Sequence, residues 1–216
     1  MARCGMPRIG CLIRSYGLTD YLPAVLKSYG WVEKIVIMNY RFKSVEERLD
    51  DTGIKCVPFK NVVIKTGELR PDLHEALNLG LEEFKNFDFV FTSDADELIA
   101  REDQNRLIAG MTNENAGCCT IIDYADDLNH KIPHRSHMPV VIVKPHVRFN
   151  DARCVPVYVK RFEDVMCHHF GYVFKPEEMA WKLKWEMPWE KTTVIRLLDQ
   201  KREECEIPEE IKEWLK

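Results

Sequence analysis

Apolar and polar positions alternate along this chain with two periods that trade places. Residues 8–16, RIGCLIRSY, form a short run that predicts a buried first strand. The next stretch, YLPAVLKSYG, brings Leu22, Val25, Leu26 and Tyr29 to one face of a helix. A β-branched run follows at 32–39 (VEKIVIMN), then a short helix at 45–53 stopped by Gly53, then a third strand at 54–59 (IKCVPF). Leu73, Leu77 and Leu81 recur every fourth residue in a helix at 71–85, with Pro71 suited to its first turn. FDFVFTSDADELI then reads as a strand running into polar residues, and a helix follows at about 102–111.

Strands separated by helices predict parallel, crossover-connected pairing. Farther on, GCCTIIDYA, MPVVIVKP and VPVYVKRF are strands with no long helix between them, so part of the sheet is expected to be antiparallel. From Pro176 the pattern returns to helix, in PEEMAWKLKW, in a stretch around WEKTTVIRLLDQKREE, and in a closing amphipathic IPEEIKEWLK. The expectation is one α/β, Rossmann-like domain over residues 1–185, a mixed, mostly parallel central sheet flanked by helices. A helical tail at 186–216 packs on it. No repeat, low-complexity segment or Gly/Ser linker interrupts the chain.

Composition narrows the class. Of 216 residues, 45% are hydrophobic and 31% charged, enough for a sizeable core and too apolar for disorder. Apolar runs such as Val140 to Val143 fall far short of the roughly 18 residues that a membrane span needs. The start has no signal-peptide pattern, so a cytoplasmic protein is expected. Eight cysteines without a CxxC, several inside strand-like runs, are expected to be reduced and buried. Net charge is -4, which argues against a general nucleic-acid binder. Between Leu128 and Phe162, however, seven bases (Lys131, Arg135, Lys144, Arg148, Arg153, Lys160, Arg161) face one acid, Asp151. That segment is either a solvated surface offsetting acidic helices or a face for an anionic partner such as an acidic glycan, a lipid headgroup or nucleic acid.

The chemistry concentrates at Ser93-Asp94-Ala95-Asp96-Glu97. Carboxylates at the C-terminal end of a buried strand stand where open α/β sheets bind ligands. If the backbone stays extended, Asp94 and Asp96 share a face and look into one crevice. Two carboxylates that close repel, and a divalent cation relieves the repulsion; oxygen ligands favour Mg2+ or Mn2+, which keep positions open for phosphates. Cys167-His168-His169-Phe170-Gly171-Tyr172 adds histidines that can complete such a site. Gly171 there permits a sharp turn or a close approach.

TSDADE at the fourth strand, the Ala76-x-Asn78-x-Gly80 helix before it and the HHFGY segment together make the chain resemble glycosyltransferases of the A-type fold, nearest to family 2-like enzymes, over roughly residues 7–185. The resemblance implies a metal-dependent, inverting transfer of a sugar from a nucleotide-sugar donor, UDP-linked for example, to a hydroxyl acceptor. By the same token Asp96 would ligate the metal, Asp94 would join it or contact the donor ribose, and His169 would be a late ligand. Lys175 or Lys182 would add charge near the diphosphate, and Asp126 or Asp127 would take the acceptor proton, with Asp164 in reserve. Departures from the family pattern fall at Gly17-Leu18, Met38-Asn39 and Leu77, where relatives line the nucleotide. Arg14, Asn39 and Arg70 are candidate replacements for those contacts. The rival classes are a haloacid dehalogenase-type phosphohydrolase, which sets its aspartates near the N-terminus, a sugar nucleotidyltransferase, which wants a Gly-rich basic loop after the first strand, and a non-catalytic module that kept the fold.

Overall fold

A computed structural model of the protein describes residues 6–15, 20–41, 61–68, 73–132, 138–151, 153–173 and 201–216. The elements run β1 (Ile9–Ser15), α1 (Leu22–Ser28), β2 (Lys34–Arg41), β3 (Val62–Glu68), α2 (Leu73–Leu81, continued by a 3-10 turn at Glu82–Phe84), β4 (Phe89–Asp94), β5 (Glu97–Ile99), α3 (Arg101–Gly110), β6 (Ala116–Ala125), β7 (His130–Lys131), β8 (Val140–Val143), β9 (Val159–Tyr172), β10 (Glu203–Glu204) and α4 (Glu209–Leu215). One sheet carries the order β10-β7-β6-β8-β4-β1-β2-β3, with β9 paired to β6 and β5.

The parallel heart is β4-β1-β2-β3. β8 pairs antiparallel to both β4 and β6, so β6 runs in the same direction as β4. β9 lies parallel to β6 although no helix separates them among the described residues, and antiparallel to β5. The result is the mixed, mostly parallel α/β sheet that the alternation predicts. Its consequence for function is directional: the C-terminal ends of β1, β2, β4, β6 and β9 open on the same edge.

Alternate residues of the central strands feed opposite cores, as expected of strands buried on both faces. Cys11 and Ile13 of β1 and Ile35 and Ile37 of β2 pack with Leu22, Val25, Leu26 and Tyr29 of α1. Leu12, Val36 and Met38 pack on the other side with Leu77, Leu81 and Phe84. Gly80 explains how closely α2 approaches: a Cβ there would stand 2.3 Å from Leu12 Cδ1. Asn78 ties the same helix to the chain beyond β8, exchanging hydrogen bonds with the Phe149 N–H and C=O at 2.8 and 2.9 Å. Both polar features of the Ala76-x-Asn78-x-Gly80 pattern therefore serve packing, and Leu77 is a core residue.

Several expectations shift. The described third strand is Val62–Glu68, while the expected elements at 45–53 and 54–59, and most of the tail to residue 200, lie outside the described residues. Of the helix expected around residues 189–204, Glu203 and Glu204 instead pair with β7 as β10. α4 packs through Ile211 into the core beside α1. Among the described cysteines no disulfide forms; Cys11, Cys118, Cys119 and Cys167 are buried and Cys154 is exposed. Among the described residues no helix is long and apolar enough to cross a membrane.

Candidate active site

β4 ends at Asp94, and the next two residues turn instead of continuing the strand. Hydrogen bonds explain the turn. Ala95 N–H donates to the Arg14 carbonyl at 2.9 Å, and Asp94 N–H donates to Glu97 Oε2 at 3.0 Å. The strand periodicity that would have aimed Asp94 and Asp96 at one crevice is broken, and the two carboxylates have separate partners.

Asp94 faces β1. Arg14, its register neighbour on that strand, donates from Nε and Nη2 to the two Asp94 oxygens at 2.7 and 2.8 Å. Arg153, reached from beyond β8, stands 3.7 Å away, bonds both oxygens of buried Glu97, and donates to the Thr92 and Val140 carbonyls. Burial alone would raise the Asp94 pKa, but the two guanidinium groups outweigh it and hold the carboxyl at about 2. Arg14 thus directs Nε and Nη2 to Asp94 at the carboxyl edge of the sheet. Each Asp94 oxygen, expected at the metal, carries one Arg14 hydrogen bond.

Asp96 faces β9. The backbone pairs through Phe170 N–H to the Asp96 carbonyl at 2.9 Å, and Asp96 Oδ2 lies 3.7 Å from His169 Nε2. His169 Nδ1 contacts Asp123 Oδ1 of β6 at 2.6 Å. Burial opposes a charged imidazole, yet Asp96 and Asp123 outweigh it and raise the His169 pKa to about 10. Gly171 does not turn the chain. It lies within β9, and a Cβ there would stand 2.3 Å from His169 Nε2 and 2.9 Å from Asp96 Oδ2, so its bare α-carbon lets these two donor atoms converge.

His168 projects to the other face, as strand periodicity requires. Its Nδ1 meets the Tyr124 hydroxyl at 2.8 Å, Tyr124 stacks on Phe170, and burial lowers its pKa to about 4. It belongs to the core.

Among the described residues no group of three His, Cys, Asp or Glu stands ready as a cation cage. Asp96 and His169 nevertheless suit one: an oxygen from the turn after β4 and a nitrogen from β9 converge where a side chain at 171 would intrude. Asp126 and Asp127 follow β6 at the same edge, both exposed. Asp126 adopts a left-handed φ of 70°, which aspartate tolerates, and accepts from Arg202 Nε at 2.8 Å. Asp127 caps its own turn, accepting from the Asn129 N–H at 2.7 Å with His130 Nδ1 at 2.8 Å, bonds that lower its pKa. Asp164 sits where three extra β9 residues bulge between its pairings with Cys119 and Thr120. It precedes His169 by five residues along β9. Asn39 is buried at the end of β2 beside Ser15. Arg70, Lys175 and Lys182 lie outside the described residues.

The basic segment is largely spoken for. Lys131 pairs with Glu203, Arg148 with Glu82 and Arg153 with Glu97, and Lys160 donates to the Gly110 carbonyl. Arg153 in particular is 7% exposed, so it is no surface cation. Asp123 received no role from the sequence, and the pairing of Glu97 with Arg153 was not foreseen. The one signal for Asp123 was an acid inside an apolar strand, between Ile122 and Tyr124.

No family model matches the sequence, and no curated protein is significantly similar to it. Solved structures are more telling. The mannosyltransferase PcManGT from Pyrobaculum calidifontis, in complex with GDP-Man and Mn2+, matches 98% of this chain and 69% of its own at 15% identity, with a TM-score of 0.53. The chain has the A-type glycosyltransferase fold. HddC from Yersinia pseudotuberculosis, complexed with GMP-PN, matches 80% of this chain and 96% of its own at 12% identity and TM-score 0.52. S. aureus TarS 1-349 with UDP-GlcNAc is similar over 55% of the chain at 15% identity and TM-score 0.41; the chain spans 35% of that protein's length. In the A-type fold of this chain, the carboxyl edge carries the Asp96–His169 pair.

Proposed function

We propose that this chain is a metal-dependent glycosyltransferase that moves a sugar from a nucleotide-sugar donor to a hydroxyl acceptor, with inversion. One observation carries the reading. On an A-type sheet, Asp96 from the turn after β4 and His169 from β9 come to within 3.7 Å at the ligand-binding edge. A bound Mn2+ or Mg2+ would supply positive charge against the charge that develops on a departing nucleoside diphosphate.

The chain's own residues have distinct parts in this reading. Asp96 and His169 would hold the cation. Asp94, fixed by Arg14, would present its outer edge to a ribose hydroxyl or an ordered water, and Asn39 lies on the same edge for the donor. For the proton of the acceptor hydroxyl the candidates are Asp126 and Asp127, which follow β6 at this edge, Asp126 paired with Arg202 and Asp127 with Asn129 and His130. The phosphohydrolase reading fares worse: its nucleophile would be Asp94, whose oxygens Arg14 occupies.

The test is turnover of a panel of UDP- and GDP-sugars, with Mn2+ and with chelator, beside a generic phosphate monoester. Metal-dependent release of nucleoside diphosphate is expected. Hydrolysis of the monoester alone would overturn the reading.

A further inference from the structure

Asp123 is an ionisable side chain in a place that packing alone does not explain. It stands near the end of β6, its side chain 2% exposed, in register with His169 on β9. Neighbours in register on parallel strands project to one face, so Asp123 and His169 meet directly, at 2.6 Å. An ionised carboxylate can only accept hydrogen bonds. The shared hydrogen therefore sits on His169 Nδ1, and the nitrogen that turns toward Asp96 is Nε2. The ring is fixed on three sides: by Asp123 at Nδ1, by Asp96 beside Nε2, and by the bare α-carbon of Gly171 beneath it.

We infer that Asp123 is the positioning residue of this site, holding His169 in the tautomer and orientation that offer Nε2 to the cation Asp96 also faces. The inference rests on the function proposed above and deepens it. A carboxylate behind a ligating imidazole fixes the ring and makes its far nitrogen a better donor, and loss of such a partner weakens metal affinity roughly 10- to 100-fold. Asp123 does not touch substrate, being buried behind the imidazole. Glu97, His169's register neighbour on β5, does not share this role, because its oxygens are held by Arg153 and by the Asp94 N–H. On the opposite face His168 meets a tyrosine hydroxyl instead of a carboxylate, so only one histidine of the pair is equipped as a ligand.

Asp123→Asn tests this, because it keeps the shape and adds an amide that can donate to Nδ1, which would leave the hydrogen on Nε2 and block the ligand position. Mn2+ binding to the full chain would be followed by electron paramagnetic resonance in the presence of GDP or UDP, for the wild type and for Asp123→Asn, Asp123→Glu, His169→Ala and Asp96→Ala. The expected result is a 10- to 100-fold weaker Mn2+ affinity in Asp123→Asn, with partial recovery in Asp123→Glu. Wild-type affinity in Asp123→Asn beside lost affinity in His169→Ala and Asp96→Ala would overturn the role of Asp123 and leave the metal site standing. Undiminished affinity in His169→Ala and Asp96→Ala would overturn the metal site itself, and this inference with it. A measurement on the unmutated protein covers the case of a variant that does not fold. In Mg2+-loaded, 15N-histidine-labelled protein at pH 8, His169 should carry its hydrogen on Nδ1 alone, and a hydrogen on Nε2 would overturn the proposal.

Discussion

Asp94 and Asp96 belong to one short motif, yet the molecule treats them as opposites. Asp94 is locked into a buried network with Arg14, Arg153 and Glu97, where each charge answers another and the carboxyl is held near pKa 2. Asp96, two residues on, turns to the other side of the site and stands 3.7 Å from the His169 imidazole of β9. The same division runs through the neighbouring histidines, since burial among aromatic rings lowers the His168 pKa while Asp96 and Asp123 raise that of His169. The lesson is that a carboxylate pair at a strand end need not be two equivalent ligands. A turn of two residues is enough to send one aspartate to Arg14 of β1 and the other to His169 of β9.

Breaking the Asp94 half should have the largest effect. Arg153→Met leaves Glu97 buried without its counterion, and loss of about 3–5 kcal/mol of stability is expected from urea unfolding. Asp96→Asn, at the other half, should lose distinctly less. Equal losses would erase the distinction between the two aspartates.

The histidine contrast gives a pH prediction of slightly smaller size. The His168 pKa is depressed from 6.5 to about 4 by burial, so the unfolded chain takes up this proton first. Its contribution to stability is complete above pH 6.5 and is lost as pH falls toward 4, in all of order 3 kcal/mol. His168→Phe should flatten the stability profile across that window. A profile that stays as steep as the wild type's would place the acid sensitivity elsewhere.

Much of this was legible in the order of apolar and polar residues. The strands β1, β2 and β4, the buried face of α1 and the opposite projection of His168 and His169 all follow from period, because packing on both sides of a sheet imposes it; β3 at Val62–Glu68 does not. Period could not supply the turn at Ala95–Asp96, which depends on bonds from Arg14 and Glu97, far apart in sequence or hidden in the motif's own tail. Nor could it find Arg153, which reads as one more base in a positive segment until the fold brings it under Thr92 and Glu97. Asp123 was missed for the same reason: its partner is 46 residues away, on a strand made its neighbour by the sheet alone.

The smallest change should act on the Asp96 half only. Gly171→Ala adds one methyl where His169 Nε2 and Asp96 Oδ2 converge, and a drop of about tenfold in metal-dependent nucleotide affinity is expected, with a melting temperature close to wild type. Calorimetry reads the first and thermal denaturation the second. A large loss of stability with unaltered affinity would mean that the glycine serves packing instead.

The central claim is tested most directly by titrating the chain with GDP- and UDP-sugars by calorimetry, with and without Mn2+, for the wild type and for Asp96→Ala. The account predicts that Mn2+ strengthens binding of a sugar nucleotide in the wild type, and that Asp96→Ala abolishes this gain, a difference of about 100-fold, while its unfolding stays cooperative. Sugar-nucleotide affinity that ignores Mn2+, or an Asp96→Ala variant that keeps the full gain, would contradict it.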